Sequence, residues 1–242
     1  MKGLSDAHHF RKTVVGLCMF FGPLILLAAM VIHPATGTSE ASVISAAADH
    51  ADAWYIAHLL GLISIVLAVP AVLGLMHMLR EREVAYGHVG GGLGLLGLMA
   101  FVGIVTMEGF VGWQMGQGGD RGEMVSLMQR LNDSAGFYIP FYLVSVGFTL
   151  GMIVLALGLY RARAVQSWMA VFVGLAAVLL GVAGFTASEV LSIVGAAFLF
   201  VGLGSIGRMV LAESDEDWQT TPEPGGLRHP TAGQSPAHPP VT

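Results

Sequence analysis

The chain has 242 residues, of which 55% are hydrophobic and only 11% are charged, and its net charge is −5. A soluble domain carries about 25% charged residues, so this composition excludes an ordinary soluble enzyme and a disordered chain. It also excludes a nucleic-acid binder, because the chain has no basic patch to hold phosphates. The single cysteine, Cys18, excludes an internal disulfide framework and a cysteine-rich metal site. What remains is a polytopic membrane protein.

Charge-poor segments predict six transmembrane helices along the chain. Each segment has about the 17–25 residues, or more, that a helix needs to cross roughly 30 Å of hydrocarbon. No β-alternation is visible, and a helix satisfies its own backbone hydrogen bonds in lipid. The predicted fold class is therefore all-α, a polytopic integral membrane protein built as a six-transmembrane-helix bundle. The spans are predicted at about 13–33, 53–79, 86–114, 137–160, 166–186 and 188–208.

The positions of the basic residues predict the orientation of the bundle. All but two of the 11 Lys and Arg residues lie at the end that carries both termini, and the exceptions are Arg121 and Arg130. Because cytoplasmic loops carry the excess of Lys and Arg, we expect an N-in/C-in topology. The chain then divides into a cytoplasmic N-terminus at 1–12, a transmembrane domain at 13–212, and a disordered acidic and Pro-rich cytoplasmic tail at 213–242.

The first span is predicted to stay in the mature protein. Its apolar stretch is about 20 residues long, whereas the apolar core of a signal peptide has roughly 7–15. His33-Pro34 ends the stretch without a small-residue cleavage site. In its general features the chain is similar to small six-span membrane proteins of high-GC bacteria. That resemblance implies a multi-pass protein of the plasma (inner) membrane, and it carries no family residues across.

Glycine motifs predict close helix contacts and partners of the bundle. Residues 92–97 read Gly-Leu-Gly-Leu-Leu-Gly, but a dinucleotide fingerprint needs a preceding strand, and this segment lies inside a predicted span. The glycines instead form three small-xxx-small motifs, Gly87/Gly91, Gly90/Gly94 and Gly147/Gly151. We expect the bilayer as the main partner, and a homo-oligomer or another membrane protein to pack on these glycine faces. No nucleic acid is expected as a partner.

Glu108 is the carboxylate that lies well inside a predicted span. A charged side chain at the centre of a bilayer costs at least a few kcal/mol, so Glu108 is expected to face the interior of the bundle. There it either stays protonated or has a positive partner, such as a histidine or a metal. The structural alternative is a protonated carboxyl that is hydrogen-bonded across helices.

Histidines near the outer end of the bundle predict a metal site. At a rise of 1.5 Å per residue, His58 lies about 7 Å and Glu108 about 9 Å inside the same boundary. His33 ends the first span, and His50 precedes His58 by two helical turns. Two or three histidines with a carboxylate suit Zn, Fe or Cu. The predicted metal ligands are therefore His33, His50, His58 and Glu108, with Glu189 near this level.

A b-type haem is the alternative cofactor. It requires one histidine on each of two facing helices at the same depth. His33 or His50 with His58 meets this requirement at the outer end, and His77 with His88 meets it at the inner end. The inner pair is also explained as ordinary interfacial histidines, which is the interpretation we favour.

Three classes of function follow from these observations. The first is a membrane protein whose outer His/Glu site binds a metal or haem or relays protons. The second is a non-catalytic accessory or assembly subunit. The third is a small-solute transporter, which is disfavoured because few polar residues cross the middle of the spans. The chain has no Gly-x-Ser-x-Gly or His-Glu-x-x-His motif, so no catalytic residue is predicted.

Overall fold

Six helices of the protein are long and apolar enough to cross a membrane, and they coincide with the six predicted spans to within a few residues. The computed structural model describes residues 2–219, with side chains from Ala7 onward, and these residues contain no β-strand. The all-α six-helix fold is confirmed. The helices are α1 (Lys2–Ile32), α2 (Glu40–Asp49), α3 (Ala51–Met78), α4 (Val84–Gln117), α5 (Arg121–Asn132), α6 (Ala135–Ala162), α7 (Ser167–Thr186), α8 (Glu189–Ala212) and α9 (Asp215–Gln219).

The six spanning helices pack as a closed ring. Each helix contacts the next one in the order α1, α3, α4, α6, α7 and α8, and α8 contacts α1. Within the ring, α3 also contacts α6. The centre is filled by large side chains that are fully buried, namely Met19, Leu75, Leu79, Met152, Leu155, Leu159, Val173, Ile206 and Val210.

The bundle has two chemically different ends. We call the end at which α1 begins and α8 finishes the terminal end; Lys12, Arg80 and Arg161 lie there. The opposite end, where α1 finishes at Ile32, is the distal end. The short helices α2 and α5 cover the distal end, and they meet the last turns of α4 through a small apolar cluster of Ile44, Met115 and Met128.

Two of the spans contain a π-helical segment that the sequence did not predict. In α4 it covers Val105–Val111, and in α6 it covers Leu143–Phe148. A π-helical turn inserts an extra residue into an α-helix and often marks a functional site. Glu108 and Gly109 lie in the segment of α4.

The glycine motifs of α4 and α6 are used inside the chain. A Cβ atom at Gly90 would lie 2.8 Å from the carbonyl oxygen of Gly151, and one at Gly151 would overlap the backbone of Gly94. Gly87 and Gly91 likewise meet side chains of α3. These glycines therefore let neighbouring spans of one chain approach closely.

Both terminal segments contain helix in the part of the chain that the structure describes. Residues 2–12 continue α1 as a helix, and Asp215–Gln219 forms the short helix α9. Trp218 of α9 is only 2% exposed and belongs to the main core. Disorder was predicted for 213–242, so residues 213–219 differ from that prediction, while 220–242 lie outside the described residues.

Candidate functional site

His33 and His58 meet at the distal end, where α1 finishes beside the first turns of α3. Their ring centres are 5.0 Å apart, with the ring planes at 57°. Trp54 lies one turn before His58 on α3, and its indole contacts both imidazoles, with ring centres 4.8 Å from His58 and 5.1 Å from His33. Residues four apart on a helix share a face, which explains why Trp54 and His58 stack. The three rings form one aromatic cluster that joins α1 to α3.

Backbone hydrogen bonds fix the tautomer of both histidines. Nδ1 of His58 lies 2.8 Å from the carbonyl oxygen of Trp54, and Nδ1 of His33 lies 2.9 Å from that of Pro34. A carbonyl oxygen can only accept, so each Nδ1 carries the hydrogen and donates it. Each Nε2 is then left with its lone pair free. Metal-binding histidines are commonly held in this way, with the second ring nitrogen donating to a backbone carbonyl.

Gly109 of the π-helical segment forms one wall of the cluster. The indole Nε1 of Trp54 donates to the Gly109 carbonyl at 2.9 Å. A Cβ atom at position 109 would lie 2.5 Å from the ring of His58, closer than real Cβ contacts come. The His58 ring therefore packs directly on the backbone of α4, and His58 and Trp54 are both buried.

The loop after α1 is tied to α8 beside His33. The backbone N–H of Thr36 donates to Oε1 of Glu189 at 2.9 Å, and Glu189 is the first residue of α8. Burial lowers the pKa of His33 below its ordinary value, while the Pro34 carbonyl and the charge of Glu189 oppose that shift. The environment as a whole favours the neutral imidazole, which is the form that binds metals.

Of the four ligands predicted from the sequence, the structure brings His33 and His58 together. His50 is exposed and lies between α2 and α3. Glu108 is half-buried on α4, and within residues 7–219 its carboxylate makes no hydrogen bond or ion pair. Among the residues that the structure describes, no three His, Cys, Asp or Glu side chains are grouped so that they could hold a metal ion.

The inner histidines have separate partners. His77 stacks on Trp218 with ring centres 4.6 Å apart, and its Nε2 lies 3.1 Å from the Trp218 carbonyl oxygen. His88 is exposed, and its Nδ1 bonds the Val84 carbonyl one turn earlier in α4 at 2.9 Å. The interfacial interpretation suits His88, whereas His77 helps to dock the C-terminal segment.

Sequence reasoning found the two histidines but missed Gly109, which shapes their surroundings. The four-residue spacing of Trp54 and His58 signals a shared face. By contrast, nothing in the sequence around Gly109 shows that this glycine meets His58, because their contact depends on how α3 and α4 pack.

No protein-family model, no curated protein and no solved structure matches the chain. What the protein does must therefore be inferred from its own residues and their geometry.

Proposed function

We propose that the protein is an integral membrane protein that binds a first-row transition metal ion at its distal end, through Nε2 of His33 and Nε2 of His58. The observation that carries this proposal is the pair of Nδ1 hydrogen bonds to backbone carbonyls, which leaves two imidazole lone pairs on adjacent rings. Imidazole nitrogen suits Zn²⁺, Cu²⁺, Ni²⁺ and Fe²⁺. Water completes the coordination.

The distance between the rings favours a metal ion over a haem. With metal–nitrogen bonds of about 2.0–2.1 Å, two imidazoles on a tetrahedral ion have ring centres about 5 Å apart, and two on opposite sides of a metal have them about 6.4 Å apart. Axial haem ligands lie on opposite sides of the iron. The 5.0 Å separation of His33 and His58 agrees with the first arrangement.

We infer in addition that both termini are cytoplasmic and that the protein lies in the plasma membrane. The excess of Lys and Arg at the terminal end supports this orientation through the positive-inside rule. The distal pair of histidines then faces the outer side, from which a metal ion would enter. The accessory-subunit, proton-relay and transporter functions stay predictions.

Metal titration of the purified protein tests the proposal. The full chain in lipid nanodiscs, first stripped with a chelator, is dialysed against Cu²⁺ or Zn²⁺, and bound metal is measured by elemental analysis. We expect one ion per chain in the wild type. His33→Gln and His58→Gln should each weaken binding by at least about tenfold, since the loss of even an outer hydrogen-bond partner costs 10–100-fold.

His50→Gln is the matched control, because His50 is an exposed histidine of the same end. It should bind metal like the wild type. Metal retention by the double variant His33→Gln/His58→Gln would contradict the proposal. A loss in His50→Gln as large as in His58→Gln would instead favour the wider ligand set predicted from the sequence, and a haem absorption band in the purified protein would favour haem.

A further inference from the structure

A polar cluster at the terminal end holds the chain that follows α8. We call residues Glu213–Gln219 the C-terminal latch. Nζ of Lys12 lies 2.6 Å from a carboxylate oxygen of Asp215 and donates to the Glu213 carbonyl at 2.7 Å. His9 of α1 contacts the same carboxylate at 3.3 Å. The Lys12 side chain is only 7% exposed, so its ammonium group depends on the latch to replace water.

The other half of the latch is held by α3. The indole of Trp218 stacks on His77 and is buried in the core. Arg80 donates to the carbonyl of Gln219 at 2.6 Å and to that of Trp218 at 3.4 Å. These carbonyls end the short helix α9, and a cation is favourable at the C-terminal end of a helix. The latch therefore bridges α1 and α3 with one aromatic anchor and several charged contacts.

The latch is a short segment with an ion pair that water can reach. A helix as short as α9 has little stability of its own in water, so its order depends on docking. Asp215 is 39% exposed on its side chain, and ion pairs that water can reach contribute little. Short segments that are held in this way can open locally while the core stays folded.

We propose that the C-terminal latch is a releasable segment, which docks on Lys12 of α1 and on His77 and Arg80 at the end of α3 and undocks while the six spans stay packed. Its two anchors are Asp215, which Lys12 and His9 hold, and Trp218, which stacks on His77. Release separates the latch from both α1 and α3. This proposal is independent of the metal site.

Fluorine NMR of the full chain tests the release. Protein labelled with 5-fluorotryptophan gives four resonances, one for each tryptophan, and the Trp218→Phe variant identifies that of Trp218. A water-soluble paramagnetic agent then reports which resonances are exposed. In the wild type the Trp218 resonance should be protected. Lys12→Met and Asp215→Asn should each move it toward the solvent-exposed position, and high salt should act in the same direction.

Arg11→Met is the matched control, because Arg11 precedes Lys12 on α1 but is exposed. It removes the same charge and should leave the Trp218 resonance protected. Unchanged resonances of the other tryptophans show that the bundle is intact. The proposal is overturned if Trp218 stays protected in both Lys12→Met and Asp215→Asn, or if Arg11→Met exposes it equally.

Discussion

At the scale of single residues, Gly109 matters because it has no side chain. The ring of His58 lies 2.5 Å from the position of a Cβ atom at residue 109, and the Gly109 carbonyl accepts the indole N–H of Trp54. Any larger residue must push the imidazole or the π-helical segment away. Because interiors are packed as densely as organic crystals, a displacement of this kind is not absorbed nearby.

We predict that Gly109→Ala destabilises the protein and weakens metal binding. Overpacking of a well-packed core costs about 1–3 kcal/mol, and the displaced ring no longer lies beside His33. Thermal unfolding in nanodiscs and metal titration measure the two effects. Gly103→Ala on the same helix is the control, since nothing lies within 4 Å of its Cβ position. If Gly109→Ala proves as stable as Gly103→Ala, the contact between position 109 and His58 is not tight.

The comparison of Glu108 with Gly109 shows what a sequence can reveal about single residues. Glu108 stands out because a carboxylate is rare in an apolar span. Gly109 does not stand out among the 33 glycines of the chain. Its role follows from the packing of α3 on α4, which no local pattern encodes. The histidine pair was predicted as part of a larger set, because spacing gives depth along a helix but not the direction in which each side chain points.

At the scale of elements, the latch helix α9 shows how charge can dock a short segment. The Lys12 ammonium, followed by His9, lowers the pKa of Asp215 below its ordinary value of 3.8, while burial opposes the shift. Docking therefore favours the ionised carboxylate. The resulting stabilisation is present above the ordinary pKa and is lost as the pH falls through the lowered value.

We predict that acid releases the latch. The groups that face Asp215 are His9 and Lys12 of α1, and protonation of the carboxylate removes the negative charge that they contact. The fluorine resonance of Trp218 should become exposed below pH 3.8, while that of Trp168 at the same end should not change. Asp215→Asn should expose Trp218 at every pH. If the wild type and this variant show the same pH profile, another group controls docking.

The elements differ in how well the sequence predicts them. The six spans follow from long apolar runs, because a bilayer requires about 20 such residues in a row. The π-helical segments Val105–Val111 and Leu143–Phe148 have no such signature, since the same side chains are compatible with α and π turns. The sequence did not predict the latch, because its acidic composition is typical of disorder. The cations that order it come from α1 and from the end of α3.

At the scale of the whole molecule, the ring of spans places the two polar clusters at opposite ends. The histidine pair lies at the distal end, and the latch lies at the terminal end among most of the basic residues. Membrane orientation thus decides which cluster meets which aqueous compartment. In the orientation proposed above, the latch faces the cytoplasm.

We predict that cysteine labelling confirms this orientation. The chain has one cysteine, Cys18, which is buried, so Cys18→Ala provides a background without thiols. In that background, Ser126→Cys on α5 should react with a membrane-impermeant maleimide in intact expressing cells. Ala7→Cys on α1 should react only after the cells are permeabilised. Both parent residues are exposed. The reverse pattern would invert the orientation, and labelling of both sites in intact cells would contradict six spans.

The latch and the histidine pair contact the same two helices, because each of them joins α1 to α3. Lys12 and His33 are about 30 Å apart along α1 at 1.5 Å per residue. Between them, the hydroxyl of Ser64 on α3 donates to the Gly22 carbonyl of α1 at 2.9 Å. The register of α1 against α3 is thus fixed at three heights. Sliding of one helix by a single turn would therefore break all three connections together.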